Sequence, residues 1–123
     1  VKENYHMKLT SIDQYLESLD ESLLWWHQKV ITYMKDKYPN YPLVFFYQRP
    51  TLKLDKKLFI MMGGGKSHFS LYSTDFEYVE NHKLKKLPKI KYGKSAILFP
   101  LGNREYIHET FSIIDDIVKR SRK

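Results

Sequence analysis

The sequence predicts an α+β fold: a two-layer sandwich in which an antiparallel sheet of about five strands carries the N- and C-terminal helices on one face. Apolar residues recur at spacings of three and four near both ends of the chain. Between them lie short apolar or alternating runs separated by turn residues. Consecutive short strands pair antiparallel, and helices with one apolar stripe pack on one sheet face, which gives two layers.

Length and composition set the class of protein. The chain of 123 residues fits a single domain, residues 1–123, and its 42% hydrophobic and 15% aromatic content excludes a disordered chain. It has no cysteine, which excludes disulfides, zinc–thiolate sites and thiol catalysis. Without a membrane-spanning run or a signal-peptide core, we expect a cytoplasmic protein and no membrane partner. Residues 1–9 show no period and are expected to form a loose arm.

Two helices are expected at the start of the chain. Thr10 or Ser11 can cap a short helix through Leu19, and Asp20 can cap a second helix. The second should run to about residue 37, because two Tyr-Pro pairs follow it. Its apolar positions are Leu23, Trp26, His27, Val30, Ile31 and Met34. His27 on this apolar face is expected to be a structural residue rather than a ligand.

Strands fill the middle of the chain. Residues 43–47 and 51–54 are expected to be the first two strands, with Pro50 limiting how far they pair. Residues 58–62 are continuously apolar and residues 66–73 alternate, which predicts a central hairpin with glycines 63–65 at its tip. A short helix over residues 76–82, a strand over residues 95–99 and a C-terminal helix capped by Asn103 complete the prediction.

The hairpin contains a sequence that is similar to part of a phosphate-binding loop, Gly63-Gly64-Gly65-Lys66-Ser67. A P-loop needs a glycine five positions before the last one, where this chain has Ile60, and a helix that begins at the Lys-Ser pair. The residues after Ser67 alternate like a strand instead. The sequence therefore argues against a nucleotide-hydrolysing P-loop.

A candidate ligand site lies on the second arm of the hairpin. Lys66, His68 and Tyr72 have the same strand parity and should point to one sheet face. Tyr47 and Arg49 can join them if the first strand lies nearby. These groups suit a small anionic or carbonyl-bearing ligand, and the alternative is a plain polar sheet face. No catalytic residues are predicted, because no carboxylate orients the histidine and no activated nucleophile accompanies it. We therefore expect a protein that is not an enzyme.

A second candidate site is the acidic start of the chain. Clustered carboxylates suit hard cations and iron through oxygen ligation, and the candidate metal ligands are Asp13, Glu17, Asp20 and Glu21. Helix capping explains Asp13 and Asp20 equally well. Glu105 and His108 form one Glu-x-x-His pair, whereas a di-iron bundle needs two such pairs and two further glutamates.

Lysines dominate residues 83–94, which hold six of them and no acid in a chain of formal net charge +7. With Tyr92 among them, this segment could contact nucleic acid, which is a weaker alternative function. No RNP, KH or helix-turn-helix pattern supports it. A solvated lysine loop explains the same charges.

Four segments together resemble the YdhG-like domains. They are Ser11-Ile12-Asp13-Gln14-Tyr15-Leu16, Tyr47-Gln48-Arg49-Pro50-Thr51, Lys66-Ser67-His68-Phe69-Ser70-Leu71-Tyr72 and Lys94-Ser95-Ala96-Ile97-Leu98-Phe99-Pro100-Leu101. Their order and approximate spacing hold from about residue 11 to the C-terminal helix. The chain departs from the family at Gln48-Arg49, which replaces Gly-Met, and at the three glycines before Lys66.

The resemblance implies a compact α+β domain of frataxin-like architecture. Most YdhG-like domains have no assigned activity, and some are described as iron chaperones for iron–sulfur and haem assembly. By this resemblance the cofactor would be iron and the partners would be iron–sulfur or haem assembly proteins. An iron chaperone is expected to present an acidic ridge, whereas this chain is basic outside its first helices.

Overall fold

The computed structural model describes residues 9–122, so the expected N-terminal arm falls almost entirely outside the described residues. Two helices come first, α1 (Ile12–Glu17) and α2 (Glu21–Lys37). Four strands follow, β1 (Leu43–Phe46), β2 (Arg49–Lys53), β3 (Phe59–Gly64) and β4 (His68–Ser73). Then come α3 (Phe76–His82), β5 (Lys91–Tyr92), β6 (Ala96–Pro100) and α4 (Ile107–Ser121).

The strands form one antiparallel sheet in the order β1-β2-β3-β4-β6-β5. The α+β sandwich predicted from the sequence is confirmed, with six strands instead of about five. The additional strand, β5, is only two residues long and lies within the lysine segment. Its apolar content is too low to give a strand pattern, and it forms because β6 offers it a free edge.

One face of the sheet and the helices share the hydrophobic core. Trp26 of α2 stacks on Phe69 of β4 and Phe99 of β6, with ring centroids 5.4 and 5.9 Å apart. Ile60 and Met62 of β3 are fully buried in the same core. Burial on the order of 2 kcal/mol for each large apolar side chain is the main force that holds the helices against this face. Within residues 9–122, no helix has the length and apolar character needed to cross a membrane.

The predicted helix boundaries hold at some ends and shift at others. Ser11 caps α1 by accepting a hydrogen bond from the Gln14 N–H, as predicted. Helix α1 ends at Glu17 rather than Leu19, and Asp20 precedes α2 without a side-chain capping bond. Asn103 does not cap the C-terminal helix, because a 3-10 turn over Arg104–Tyr106 separates it from α4.

Two strand predictions need correction around a tight turn. Tyr47 belongs to the β1–β2 turn and not to β1, because Tyr47 and Gln48 both have positive φ (50° and 64°). Two such residues make the two-residue turn that matches the twist of a β-hairpin. Pro50 lies inside β2 and pairs with Phe45. Its missing N–H limits pairing only on the other side, where the β2–β3 register begins at Thr51.

The tip of the central hairpin is also displaced from its predicted place. Gly63 and Gly64 are the last residues of β3, and the tip is formed by residues 65–67. Gly64 has a φ of 148°, and a Cβ there would clash with the His68 backbone carbonyl of β4 and lie 2.7 Å from Leu23 Cδ1. A larger residue is excluded at this position because the backbone of β4 cannot move aside and because L residues rarely adopt this positive φ.

Candidate functional site

The sheet face opposite the helices carries a groove of about 410 Å³, which we call the sheet groove. The strand register places Arg49, Met61 and Tyr72 on this face, on three neighbouring strands. The groove is lined by Arg49, Phe59, Met61, Tyr72, Ser73, Thr74, Phe76 and Ser95. Met61, which is only 7% exposed, forms the apolar part of this lining together with Phe59 and Phe76.

Arg49 and Tyr72 contact each other in the sheet groove. The Arg49 guanidinium carbon lies 5.5 Å from the centroid of the Tyr72 ring, a cation–π contact. Gly63 lies beneath this pair, and a Cβ there would be 2.7 Å from Arg49 Nε and 3.2 Å from Tyr72 Cε2. The arginine therefore lies across β3 only because residue 63 has no side chain.

Lys94 brings a second positive charge to the sheet groove, next to Phe76. Phe76 is 48% exposed, and the Lys94 ammonium lies 5.6 Å from its ring centroid. None of the eight lining residues is acidic. The groove thus combines flat aromatic surfaces with positive charge, which is the chemistry that attracts an anion with an apolar body.

The structure brings together two of the five residues predicted to bind a ligand. Arg49 and Tyr72 line the sheet groove, whereas Tyr47, Lys66 and His68 do not. Tyr47 is 71% exposed at the β1–β2 turn, and Lys66 lies exposed in the hairpin tip rather than on a strand. His68 shares a face with Tyr72 but lies at the start of β4, opposite Pro100.

The His68 ring interacts with its sequence neighbour, since Nδ1 lies 2.8 Å from Ser67 Oγ. No carboxylate lies within hydrogen-bonding distance of the His68 ring among residues 9–122. A Ser-His pair without an orienting carboxylate lacks the third member of a hydrolytic triad.

The four acidic residues proposed as metal ligands are spread over two helices. Asp13 and Glu17 line a shallow pocket of about 310 Å³ with Leu16, Leu24 and Gln28. Asp20 precedes α2 and Glu21 begins it, and neither lines this pocket. In the described part of the chain, no three His, Asp or Glu side chains are placed to hold one metal ion. This donor arrangement does not fit the multidentate oxygen ligation that hard cations need.

His27 takes the structural role predicted for it. Its Nδ1–H donates to the Leu23 carbonyl at 2.9 Å, and its Nε2 accepts from the Tyr15 hydroxyl at 3.0 Å. Burial lowers the pKa of His27 to about 4 and raises the pKa of Tyr15. The imidazole is therefore neutral and fully bonded.

A cluster that the sequence did not indicate lies around His82, which is 4% exposed at the end of α3. Its Nε2 is 2.7 Å from Glu109 Oε2, and its Nδ1 is 2.6 Å from the Tyr92 hydroxyl. Lys85 donates to the same glutamate oxygen at 2.6 Å. Burial alone would raise the pKa of Glu109, but the hydrogen bonds from Lys85 and His82 outweigh it and lower the pKa. This His82 cluster ties α3, β5 and α4 together, across sequence separations that no motif spacing reveals.

The lysine segment is partly neutralised by acids from other elements. Lys83 pairs with Glu80 at 3.0 Å, and Lys85 pairs with Glu109 at 2.6 Å. The remaining lysines make no ion pair within residues 9–122; they are Lys86, Lys89, Lys91 and Lys94. The segment thus offers a smaller free positive charge than its composition indicates.

Comparison with known proteins finds similarity at the level of the fold. No protein-family model matches the chain, and no curated protein matches it either. Among solved structures, the chain is similar to YdhG, a protein from the DUF1801 family of Bacillus subtilis, with a TM-score of 0.64. The two share 22% sequence identity over 85% of this chain and 90% of YdhG. At this identity the similarity concerns the fold, so the chain has the fold of a DUF1801-family protein.

Proposed function

We propose that this chain is a YdhG-like domain that acts as a binding module rather than an enzyme. Its ligand is a small organic anion with a planar apolar body, and its site is the sheet groove. The observation that carries this proposal is the Arg49 guanidinium held over the Tyr72 ring on a sheet face that the helices leave open.

The groove supplies each interaction that such a ligand needs. A guanidinium presents paired N–H donors that match the two oxygens of a carboxylate. The rings of Tyr72 and Phe76 and the side chain of Met61 provide apolar surface for the rest of the ligand. A volume of about 410 Å³ lies in the range of small-molecule sites.

Membership of the YdhG-like family is part of the proposal. Four motifs in the correct order and the fold shared with YdhG support it. Arg49 is one of the two positions at which the Tyr-Gln-Arg-Pro segment departs from that family, so the anion site would be particular to chains with this arginine. Within residues 9–122 the acidic residues do not converge on a metal site, which argues against the iron-chaperone role that the resemblance implies.

The test is a binding screen with aromatic carboxylates and their neutral amide counterparts, followed by NMR chemical shifts and calorimetry. We expect carboxylates to shift the resonances of Tyr72 and Met61 and amides to have little effect. Arg49→Gln should weaken carboxylate binding by about tenfold or more, the loss expected for one charge-assisted contact. Lys53→Gln is the matched control, since Lys53 lies on the same strand and face but contacts Phe46 instead.

Two outcomes would contradict the proposal. One is that no aromatic anion perturbs the groove residues. The other is that Arg49→Gln and Lys53→Gln weaken binding equally, which would indicate general attraction by a basic surface rather than recognition in the sheet groove.

A further inference from the structure

The two edges of the sheet are protected to very different degrees. At one edge, β5 is two residues long and begins with Lys91, and both features discourage pairing with another strand. At the other edge, β1 is a four-residue strand of sequence Leu-Val-Phe-Phe with no charged residue, although the chain carries a net charge of +7. All four side chains are half-buried. Such an uncharged apolar edge is a template for a further strand.

The backbone groups that β1 presents outward can be assigned from its pairing with β2. The Pro42 carbonyl accepts from Lys53 N at 2.9 Å, so residue 42 directs its backbone polar groups toward β2. Backbone direction alternates along an antiparallel strand, so Val44 and Phe46 also face β2 while Leu43 and Phe45 face away. Within residues 9–122, no strand pairs with this outward side of β1.

We propose that β1 pairs antiparallel with β1 of a second copy of this chain about a two-fold axis at Val44. In this register, Leu43 of each copy faces Phe45 of the other, and the outward N–H and C=O groups of both residues bond across the interface. Val44 meets its own copy in the intervening pair, where no hydrogen bonds form. The two sheets then become one continuous sheet.

The side chains of β1 favour a copy of the same strand as the occupant. Directly opposed residues share a sheet face, so Leu43 packs on Phe45 on the helix side and Val44 packs on Val44 on the groove side. Every opposed pair is apolar, so no like charges meet across the axis despite the basic chain. The axis is perpendicular to the sheet, which leaves both sheet grooves on the same face, each one strand away from the shared edge.

The absence of cysteine from the chain makes this register directly testable with single-cysteine variants. Opposed Cα atoms in a pair without hydrogen bonds are about 4.5 Å apart, within disulfide range. Val44→Cys should therefore form a covalent dimer in a glutathione redox buffer. Phe46→Cys is the matched control on the same strand and face: its two copies would be separated by four residues of strand, roughly 14 Å, and should not cross-link.

The wild-type chain gives an independent measurement. We expect analytical ultracentrifugation to show a monomer–dimer equilibrium with a Kd on the order of 0.1 mM, typical of a small interface. Hydrogen exchange at the amides of Leu43 and Phe45 should slow as the protein concentration rises, while amides of β5 should not change.

Several results would overturn the inference. A chain that stays monomeric at about 1 mM has no such dimer. A dimer in which both cysteine variants cross-link equally, or neither does, uses another surface. Slow exchange of the Leu43 and Phe45 amides at every protein concentration would mean that another segment of the same chain pairs with β1. Slow exchange only after addition of an extended apolar peptide would mean that the edge accepts other strands instead.

Discussion

At the scale of single residues, Gly63 positions the candidate ligand-binding arginine. The Arg49 side chain crosses β3 where Gly63 leaves room, and this contact places its guanidinium against Tyr72. Glycine in a strand interior weakens the strand, so its presence here is explained by the close approach of another side chain. The sequence suggested a flexible tip, whereas the structure shows a packing requirement.

Gly63→Ala should move Arg49 off Tyr72 with little loss of fold. The added methyl group would be 2.7 Å from Arg49 Nε, near the end of a long flexible side chain that can shift away. We expect carboxylate affinity to fall by about tenfold, as for loss of the arginine itself. NMR of the Arg49 Nε–H group and calorimetry measure this. Gly65→Ala is the control, since nothing lies within 4 Å of a Cβ there; equal affinities for the two variants would disprove the role of Gly63.

His27 makes stability depend on pH. In the folded chain burial lowers its pKa to about 4 from the ordinary value of 6.5, so below pH 6.5 the unfolded state binds the proton more readily. The stability is thus complete above about pH 6.5 and falls as the pH falls toward 4. The carboxyl groups of Asp75, Glu109 and Asp115 also have lowered pKa values, and their protonation destabilises the fold at still lower pH.

Urea unfolding at pH 7.5 and pH 4.5 tests this effect. The wild-type chain should lose on the order of 2 to 3 kcal/mol through His27 between these two values. His27→Gln lacks the titrating group and should show a correspondingly smaller drop, whatever its stability at pH 7.5. His108→Gln, at an exposed position on α4, should behave like the wild type. An equal loss of stability between pH 7.5 and pH 4.5 in the wild type and in His27→Gln would contradict this role of His27.

At the scale of elements, α2 and α4 are joined by polar contacts above the core. Asp115 of α4 accepts from the Tyr33 hydroxyl at 2.7 Å, from the Tyr38 hydroxyl at 2.5 Å and from Lys37 Nζ at 3.0 Å. Burial alone would raise the pKa of Asp115, but these three bonds outweigh it and lower the pKa. Tyr33 also stacks on Phe111, with ring centroids 4.0 Å apart. One carboxylate therefore organises the last turns of α2.

Asp115→Asn should destabilise the fold by roughly 2 kcal/mol, because an amide has a single accepting oxygen for three donors. Thermal or urea unfolding at neutral pH measures the change. The control is Asp116→Asn at the adjacent position, where the single amide oxygen is enough for the one contact, with the Tyr78 hydroxyl at 2.6 Å, and the cost should be smaller. If the two variants were equally stable, the shared Asp115 contacts would not hold the helices together.

At the scale of the whole molecule, the arrangement of helices decides whether the acidic residues can bind metal. Asp13 and Glu17 lie on α1 beside a shallow pocket, while Asp20 and Glu21 begin α2. Calorimetric titration with ferrous iron should give the same small heats for the wild type and for a variant with alanine at all four positions. A saturable heat present only in the wild type would show that these carboxylates do form an iron site.

The order of elements could be predicted because it rests on local patterns. Helical spacing identified α2 and α4, and the alternation of residues 66–73 identified β4. The two-residue strand β5 could not be predicted, since it depends on the free edge of β6. Within the candidate site, strand parity indicated that His68 and Tyr72 share one sheet face, and the register of β4 has them on the same face. The positions of Tyr47 and Lys66 depend on turn geometry, which the sequence of each turn did not define.

The sequence by itself determined the two-layer α+β architecture, the face that His27 occupies and the uncharged nature of β1, because periodicity and composition act over a few neighbouring residues. Only the tertiary structure decided which polar side chains meet. Arg49 reaches Tyr72 across an intervening strand, and His82 reaches Glu109 from another helix. Such contacts depend on the register and packing of elements that are distant in sequence. Local sequence patterns do not encode how those elements come together.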